Sequence, residues 1–181
     1  MPASEQRVSR NRYMLIPRTL IFLRRGDCVL LIKGAPHKRL WANKYNGVGG
    51  HVERGEDVLS AARRELREET GLTADPSAAL RQAQGDNSGQ GLWLCGTVLV
   101  ETGENPGIGI FVFTGECSQG EPNPSSEGVL EWIPFANVSN LPGVEDLPVL
   151  LERIWQMARG DPPFSARSFY DQQGRLVIRF Q

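Results

Sequence analysis

The segment from Gly50 to Leu72, GHVERGEDVLSAARRELREETGL, constrains this chain more than any other. A helical period over residues 57–70 places Glu65, Glu68 and Glu69 in one arc about 100° wide, because i, i+3 and i+4 stack on one face. Leu59, Ala62 and Leu66 fill the adjoining arc, with Val58 close beneath Glu69. Ser60, Arg63 and Arg67 take the far, solvated side. The carboxylates therefore sit beside the apolar stripe. Like charges at i,i+4 repel at roughly 0.2–0.5 kcal/mol per pair. These also stand in the last turns, where the helix dipole disfavours more negative charge. A partly buried cluster of this kind needs a compensating cation, and oxygen ligands suit hard divalent ions, above all Mg²⁺. The competing reading is an amphipathic surface helix whose acids pair with Arg63, Arg64 and Arg67.

The whole stretch is more specific than its helix alone. Gly50, five residues, Glu56, seven residues and then Arg64-Glu65-Leu66-Arg67-Glu68-Glu69-Thr70-Gly71-Leu72 resembles the Nudix box without a departure. The resemblance implies an α/β fold, a Nudix-type α/β/α sandwich around a mixed β-sheet. It also implies cleavage of a nucleoside diphosphate linked to a moiety X, with Mg²⁺ as cofactor and Mn²⁺ as substitute. The implied catalytic set is Glu65, Glu68 and Arg64, with Glu65 or Glu68 taking the water proton and Arg64 orienting the carboxylates. The implied metal ligands are Glu65, Glu68, Glu69 and the carbonyl of Gly49. A later glutamate completes the set. Glu127, five residues before Trp132, is the best match, with Glu101 and Glu116 as rivals. Glu56 is expected to tie the loop to the helix.

Thr19-Leu20, Val29-Leu30-Leu31 and Asn46-Gly47 before Gly49-Gly50 are similar to the MutT-type 8-oxo-dGTP diphosphatases. That likeness implies an unmodified or oxidised nucleoside triphosphate, cleaved to monophosphate and pyrophosphate. It brings Thr19 and Gly50 to the substrate and gives Asn46 the purine, since an amide offers both donor and acceptor to a base edge. Glu145 and Asp146 lie near the acidic pair that reads oxidised purines in mammalian relatives, although the tryptophan beside that pair is missing here. The alternatives within the same chemistry are ADP-ribose, a dinucleoside polyphosphate or RNA 5′ ends. A non-catalytic nucleotide-sensing module is the alternative outside it.

Charge narrows the partners. The chain has 20 basic and 21 acidic residues and a net charge of −1, so nothing drives it generally towards nucleic acid or an anionic membrane. Nucleotide phosphates must be held locally, by Lys33, Lys38 and Arg39 besides the metal. Trp41 either stacks on a base or packs in the core or at the rim, and His51, next to the glycines, is placed to touch phosphate. His37 and His51 are too few for zinc. Cys28, Cys95 and Cys117 are odd in number and lack metal-type spacing, and free thiols suit a reducing, cytoplasmic setting. Leu20 to Leu23 is too short to span a bilayer. A monomer or a homodimer is expected.

At 181 residues the chain suits one domain. The expected organisation is a flexible N-terminus over 1–12, a single domain over 13–160, and a C-terminal β-hairpin extension over 161–181 packed on it. Arg18–Leu23 and Cys28–Lys33 read as a hairpin, and the apolar run CVLLI suggests a strand covered on both faces. Further strands are expected over 79–84, 92–101, 108–116 and 130–133. A second helix is expected over 144–158 and a terminal hairpin over 166–180.

Overall fold

The computed structural model describes residues 11–74 and 91–181. Its strands are β1 (Leu15–Arg25), β2 (Cys28–Gly34), β3 (Tyr45–Asn46), β4 (Trp93–Val100), β5 (Gly107–Glu116), β6 (Gly128–Pro134), β7 (Phe164–Tyr170) and β8 (Leu176–Phe180). Its helices are α1 (Val58–Thr70) and α2 (Leu147–Trp155), with a 3-10 turn over Phe135–Asn140. The strand expected over 79–84 lies outside the described residues.

Period-two alternation decides the layering. On β1, Leu20 and Phe22 point into one core, while Ile21 and Leu23 point into another. On β2, Val29 and Leu31 join the first core and Leu30 the second. An all-apolar strand is what two covered faces require. The first core is closed by α2 through Leu147, Leu150, Leu151 and Ile154. The second is closed by α1 through Ala62 and Leu66. The result is helix, mixed sheet, helix.

The sheet runs β3-β2-β1-β5-β4-β7-β8, with β6 also paired to β2. β1 lies parallel to β5 from Leu15↔Gly107 to Arg24↔Glu116, and β4 lies parallel to β7. The remaining pairs are antiparallel. The β7–β8 hairpin thus extends the sheet past β4, and Phe164 meets Phe180 edge-on at 5.3 Å.

The expected β1–β2 hairpin is paired only at its turn, at Arg24↔Val29 and Arg25↔Cys28. Beyond it the two strands splay, because β6 occupies the other edge of β2 and the segment 45–51 fills the wedge. Tyr45 and Asn46 pair with Lys33 and Ile32 of β2, while Val48 and His51 bridge to Ile21 and Arg18 of β1. A short strand that sequence patterning did not reveal therefore delivers Asn46, Gly49 and Gly50 to the middle of the sheet.

Helix α1 starts at Asp57, whose Oδ1 accepts from the Leu59 and Ser60 N–H groups at 2.9 and 3.0 Å. A cap of this kind is worth about 1 kcal/mol. Gly71, at φ 70°, closes the helix by donating to the Arg67 carbonyl. Helix α2 begins later than its apolar pattern suggests. Residues 142–144 are held extended against Tyr45, whose N–H donates to the Pro142 carbonyl at 3.0 Å and whose carbonyl accepts from Val144 at 2.9 Å. Glu145 and Asp146 consequently precede the helix.

Cys95 and Cys117 are buried and Cys28 is half-buried, all as free thiols. Burial pushes the Cys95 thiol up to about 12, so it stays protonated and inert. No helix among the described residues is long and apolar enough to cross a membrane.

Candidate active site

The second half of α1 meets the segment 48–51, the loop 34–44 and the start of β6. Arg64 knits these pieces together. Its Nε and Nη2 donate to the two oxygens of Glu56 at 3.2 and 2.7 Å. Its Nη1 donates to Glu65 Oε1 at 2.9 Å and to Glu68 Oε2 at 3.1 Å, and its Nη2 also reaches the His51 carbonyl at 3.0 Å. Glu56 Oε1 accepts in addition from the Glu53 N–H at 2.7 Å. Arg64 first, and that backbone bond second, hold the Glu56 carboxyl below the usual carboxylate range. One planar guanidinium thus fixes one oxygen each of Glu65 and Glu68 and leaves the other oxygen of each outside its grip.

Two glycines let the loop come this close. A Cβ on Gly50 would stand 2.5 Å from the Glu65 carboxyl carbon. Gly49 adopts φ +148°, and a Cβ there would meet the Thr19 carbonyl oxygen at 2.2 Å. In return, the Gly49 N–H donates to Glu69 Oε2 at 3.2 Å.

Glu65 and Glu69 are half-buried, whereas Glu68 is exposed. Desolvation pushes the Glu69 carboxyl up to about 7; the Gly49 bond pulls it down, and the charges of Glu65 and Glu127 push it further up. Glu127 is therefore close enough to be felt at Glu69. Its own carboxylate is held by Lys38 at 2.5 Å, and its carbonyl accepts from Ala35 N–H at 2.9 Å. The rivals stand elsewhere. Glu101 is paired with Arg167, and Glu116 ends β5 opposite Arg24.

Among the described residues no three His, Cys, Asp or Glu side chains are gathered tightly enough to grip an ion. In this arrangement Arg64 and Lys38 occupy oxygens of Glu65, Glu68 and Glu127. The donor set itself, carboxylates with a neighbouring backbone carbonyl and no sulfur or imidazole, fits a hard divalent cation.

Beside Glu69 lies a cavity of about 90 Å³ whose lining includes Lys38, Trp41, Lys44, Asn46 and Gly49. That volume holds several waters, enough to admit a phosphate group. Trp41 is 52% exposed and held at φ 59°, an uncommon conformation for so bulky a residue. It belongs to the cavity rim, not to the core. Asn46 accepts the Gly47 N–H on its Oδ1 at 2.8 Å, which leaves its Nδ2 for a ligand.

The other residues singled out from the sequence are dispersed. Thr19 is buried, and its hydroxyl accepts from Gly50 N–H at 3.4 Å. Lys33 lies on the opposite face of the sheet, 5.7 Å from the Tyr45 ring. Arg39 and the His51 side chain are exposed outside the cavity. Glu145 and Asp146 stand beside Tyr170, ahead of α2. Lys44 was visible as one of three cations in the 34–45 loop, but nothing local told it apart from Arg39.

Comparison with known proteins bears on the same region. Residues 14–154 match the family model described as the NUDIX domain. The oxidized purine nucleoside triphosphate hydrolase of Danio rerio is 33% identical over 126 residues, covering 66% of this chain and 70% of that protein. The MutT protein from Bacillus halodurans superposes with a TM-score of 0.70 at 22% identity, over 92% of this chain and 98% of that one. The NUDIX domain of Shewanella oneidensis NrtR, solved with ADP ribose, does so with a TM-score of 0.59 at 16% identity, over 86% and 98%.

Proposed function

The chain belongs to the NUDIX domain family, and from that premise we propose that this Nudix hydrolase converts a nucleoside triphosphate, oxidised purines included, to its monophosphate and pyrophosphate. The observation that carries the reading is the Arg64 lattice. It presents Glu65 and Glu68 beside Glu69 and next to a cavity lined by two lysines. A surface helix paired for solubility has no reason to commit four guanidinium bonds to carboxylates and a fifth to the His51 carbonyl beside a cavity.

Glu65, Glu68, Glu69, Glu127 and the Gly49 carbonyl would hold Mg²⁺ or Mn²⁺. The ion, when bound, neutralises phosphate oxygens and lowers the pKa of a bound water. The protein's own part is positioning. Lys38 and Lys44 draw the phosphates into the cavity. Asn46 and Trp41 flank the point where the chain of phosphates joins the nucleoside. Water adds to phosphorus, the bridging P–O bond breaks to release pyrophosphate, and a free oxygen of Glu65 or Glu68 takes the water proton. Little covalent chemistry is asked of the protein, so alignment and charge stabilisation supply most of the rate.

The test is a panel of dGTP, 8-oxo-dGTP, dATP, ADP-ribose and a dinucleoside polyphosphate with Mg²⁺, comparing kcat/KM and identifying products. The highest value for a triphosphate, with pyrophosphate released, supports the reading. A higher value for ADP-ribose or the dinucleoside polyphosphate overturns it, and tight binding without turnover of any of them points to a sensing module.

A further inference from the structure

Lys38 serves two neighbours. Its Nζ donates to Glu127 Oε2 at 2.5 Å, and the residue also lines the cavity beside Glu69. The backbone sets up this position. Lys38 N–H donates to the Ala35 carbonyl at 3.0 Å, and Ala35 N–H donates to the Glu127 carbonyl at 2.9 Å. The turn over residues 35–38 is thus pinned to the residue just ahead of β6. Gly128 makes the close approach possible: it pairs with Gly34, and a Cβ on it would meet the Lys33 carbonyl oxygen at 2.2 Å. Loop and strand are therefore fixed, while the ammonium hangs on a flexible four-carbon stem.

The ion pair itself breaks easily. The Lys38 and Glu127 side chains are 36% and 49% exposed, and pairs so open to water are weak. Among the described residues the Lys38 ammonium makes this bond and no other. Arg64 is the contrast, a planar guanidinium with five bonds, anchored on Glu56. Lys44 lines the same cavity, and among the described residues no carboxylate pairs with it. A carboxylate that faces a hard dication keeps an ammonium only by bringing like charges together. A phosphate in the cavity gives that ammonium another anion.

We infer that Lys38 is a positioning residue that exchanges partners: it holds Glu127 back from the divalent ion until a phosphate enters the cavity, then passes from the carboxylate to the phosphate. The inference rests on the nucleotide reading above and deepens it by naming how the site couples its two ligands. Metal and nucleotide favour each other's binding, because each takes one member of the Lys38–Glu127 pair. Coupling of this kind is reciprocal. One side chain therefore acts with opposite signs, weakening the grip on the ion alone and strengthening the grip on the nucleotide.

The experiment titrates Mn²⁺ calorimetrically without nucleotide and measures KM for dGTP with Mg²⁺. The proteins are wild type, Lys38→Gln, Lys44→Gln, Glu127→Gln and the double variant Lys38→Gln with Glu127→Gln, with melting temperatures as a check on folding. Lys38→Gln should bind Mn²⁺ about 5-fold tighter, while its KM for dGTP rises about 10-fold. The gain should vanish, to within about 2-fold, between Glu127→Gln and the double variant, where no carboxylate is left to release. Lys44→Gln should leave Mn²⁺ affinity within about 2-fold of wild type, since it frees no carboxylate. Unchanged or weaker Mn²⁺ binding by folded Lys38→Gln overturns the proposal. An equal gain from Lys44→Gln, or from Lys38→Gln with Glu127 already replaced, is an effect of charge alone and overturns it too. If wild type cleaves no nucleotide, the functional reading falls, and the Mn²⁺ titrations still decide the exchange.

Discussion

Glu56 and Arg64, eight residues apart, are joined by two parallel N–H···O bonds of 2.7 and 3.2 Å. This fork ties the loop before α1 to the helix itself, and the same guanidinium then aligns Glu65 and Glu68. An ammonium is a point charge and cannot reproduce the five contacts. Arg64→Lys should therefore lower kcat/KM about 10- to 100-fold, as loss of a ligand-orienting partner does. The Mg²⁺ concentration for half-maximal rate should rise in parallel. A loss of melting temperature with unchanged metal dependence would show that Arg64 only stabilises the fold.

Gly50 faces the Glu65 carboxylate with no room for a methyl group. Gly50→Ala displaces Glu65 or the segment 48–51, and a misplacement near 1 Å costs about 100-fold in rate. Turnover by a variant whose circular dichroism matches wild type checks this directly. Gly55, at φ +94° with open space around it, serves as the control, because Gly55→Ala strains the backbone without touching Glu65.

Glu127 is felt at Glu69, while Glu101 is committed to Arg167. Glu127→Gln should raise the Mg²⁺ requirement about 10-fold or more, and Glu101→Gln should leave it unchanged. Equal effects of the two substitutions would remove Glu127 from the site.

Asp146 has its carboxyl pushed up, first by burial and then by the charge of Glu145. The folded protein therefore holds this proton more tightly than the unfolded chain does. Stability from the protonated form is complete below the ordinary aspartate value of 3.8 and is lost as pH rises through the raised folded value. Urea midpoints of wild type should fall relative to those of Asp146→Asn across that window. Parallel curves would mean that Asp146 titrates normally.

Helix α1 was legible because everything that defines it is local. The spacing of Glu65, Glu68 and Glu69, the Asp57 cap and the Gly71 stop all lie within 15 residues. The two-sided burial of β2 was legible for the same reason, since CVLLI allows no solvated face. What escaped depends on contacts distant in sequence. The wedge that carries Asn46 pairs with one edge of β2 while β6, about 85 residues further along the chain, holds the other. Helix α2 starts late because Pro142 and Val144 pair with Tyr45, almost 100 residues earlier. Lys33 reads as a phosphate ligand from charge alone, but its phase on β2 turns it to the other face.

The most direct measurement is pyrophosphate release from a nucleoside triphosphate with Mg²⁺, by wild type and by Glu68→Gln. Glu68 is exposed, so this substitution leaves the core intact. The account predicts Mg²⁺-dependent pyrophosphate and monophosphate from wild type and a loss of at least about 100-fold in the folded variant. Equal turnover by the two proteins would contradict it.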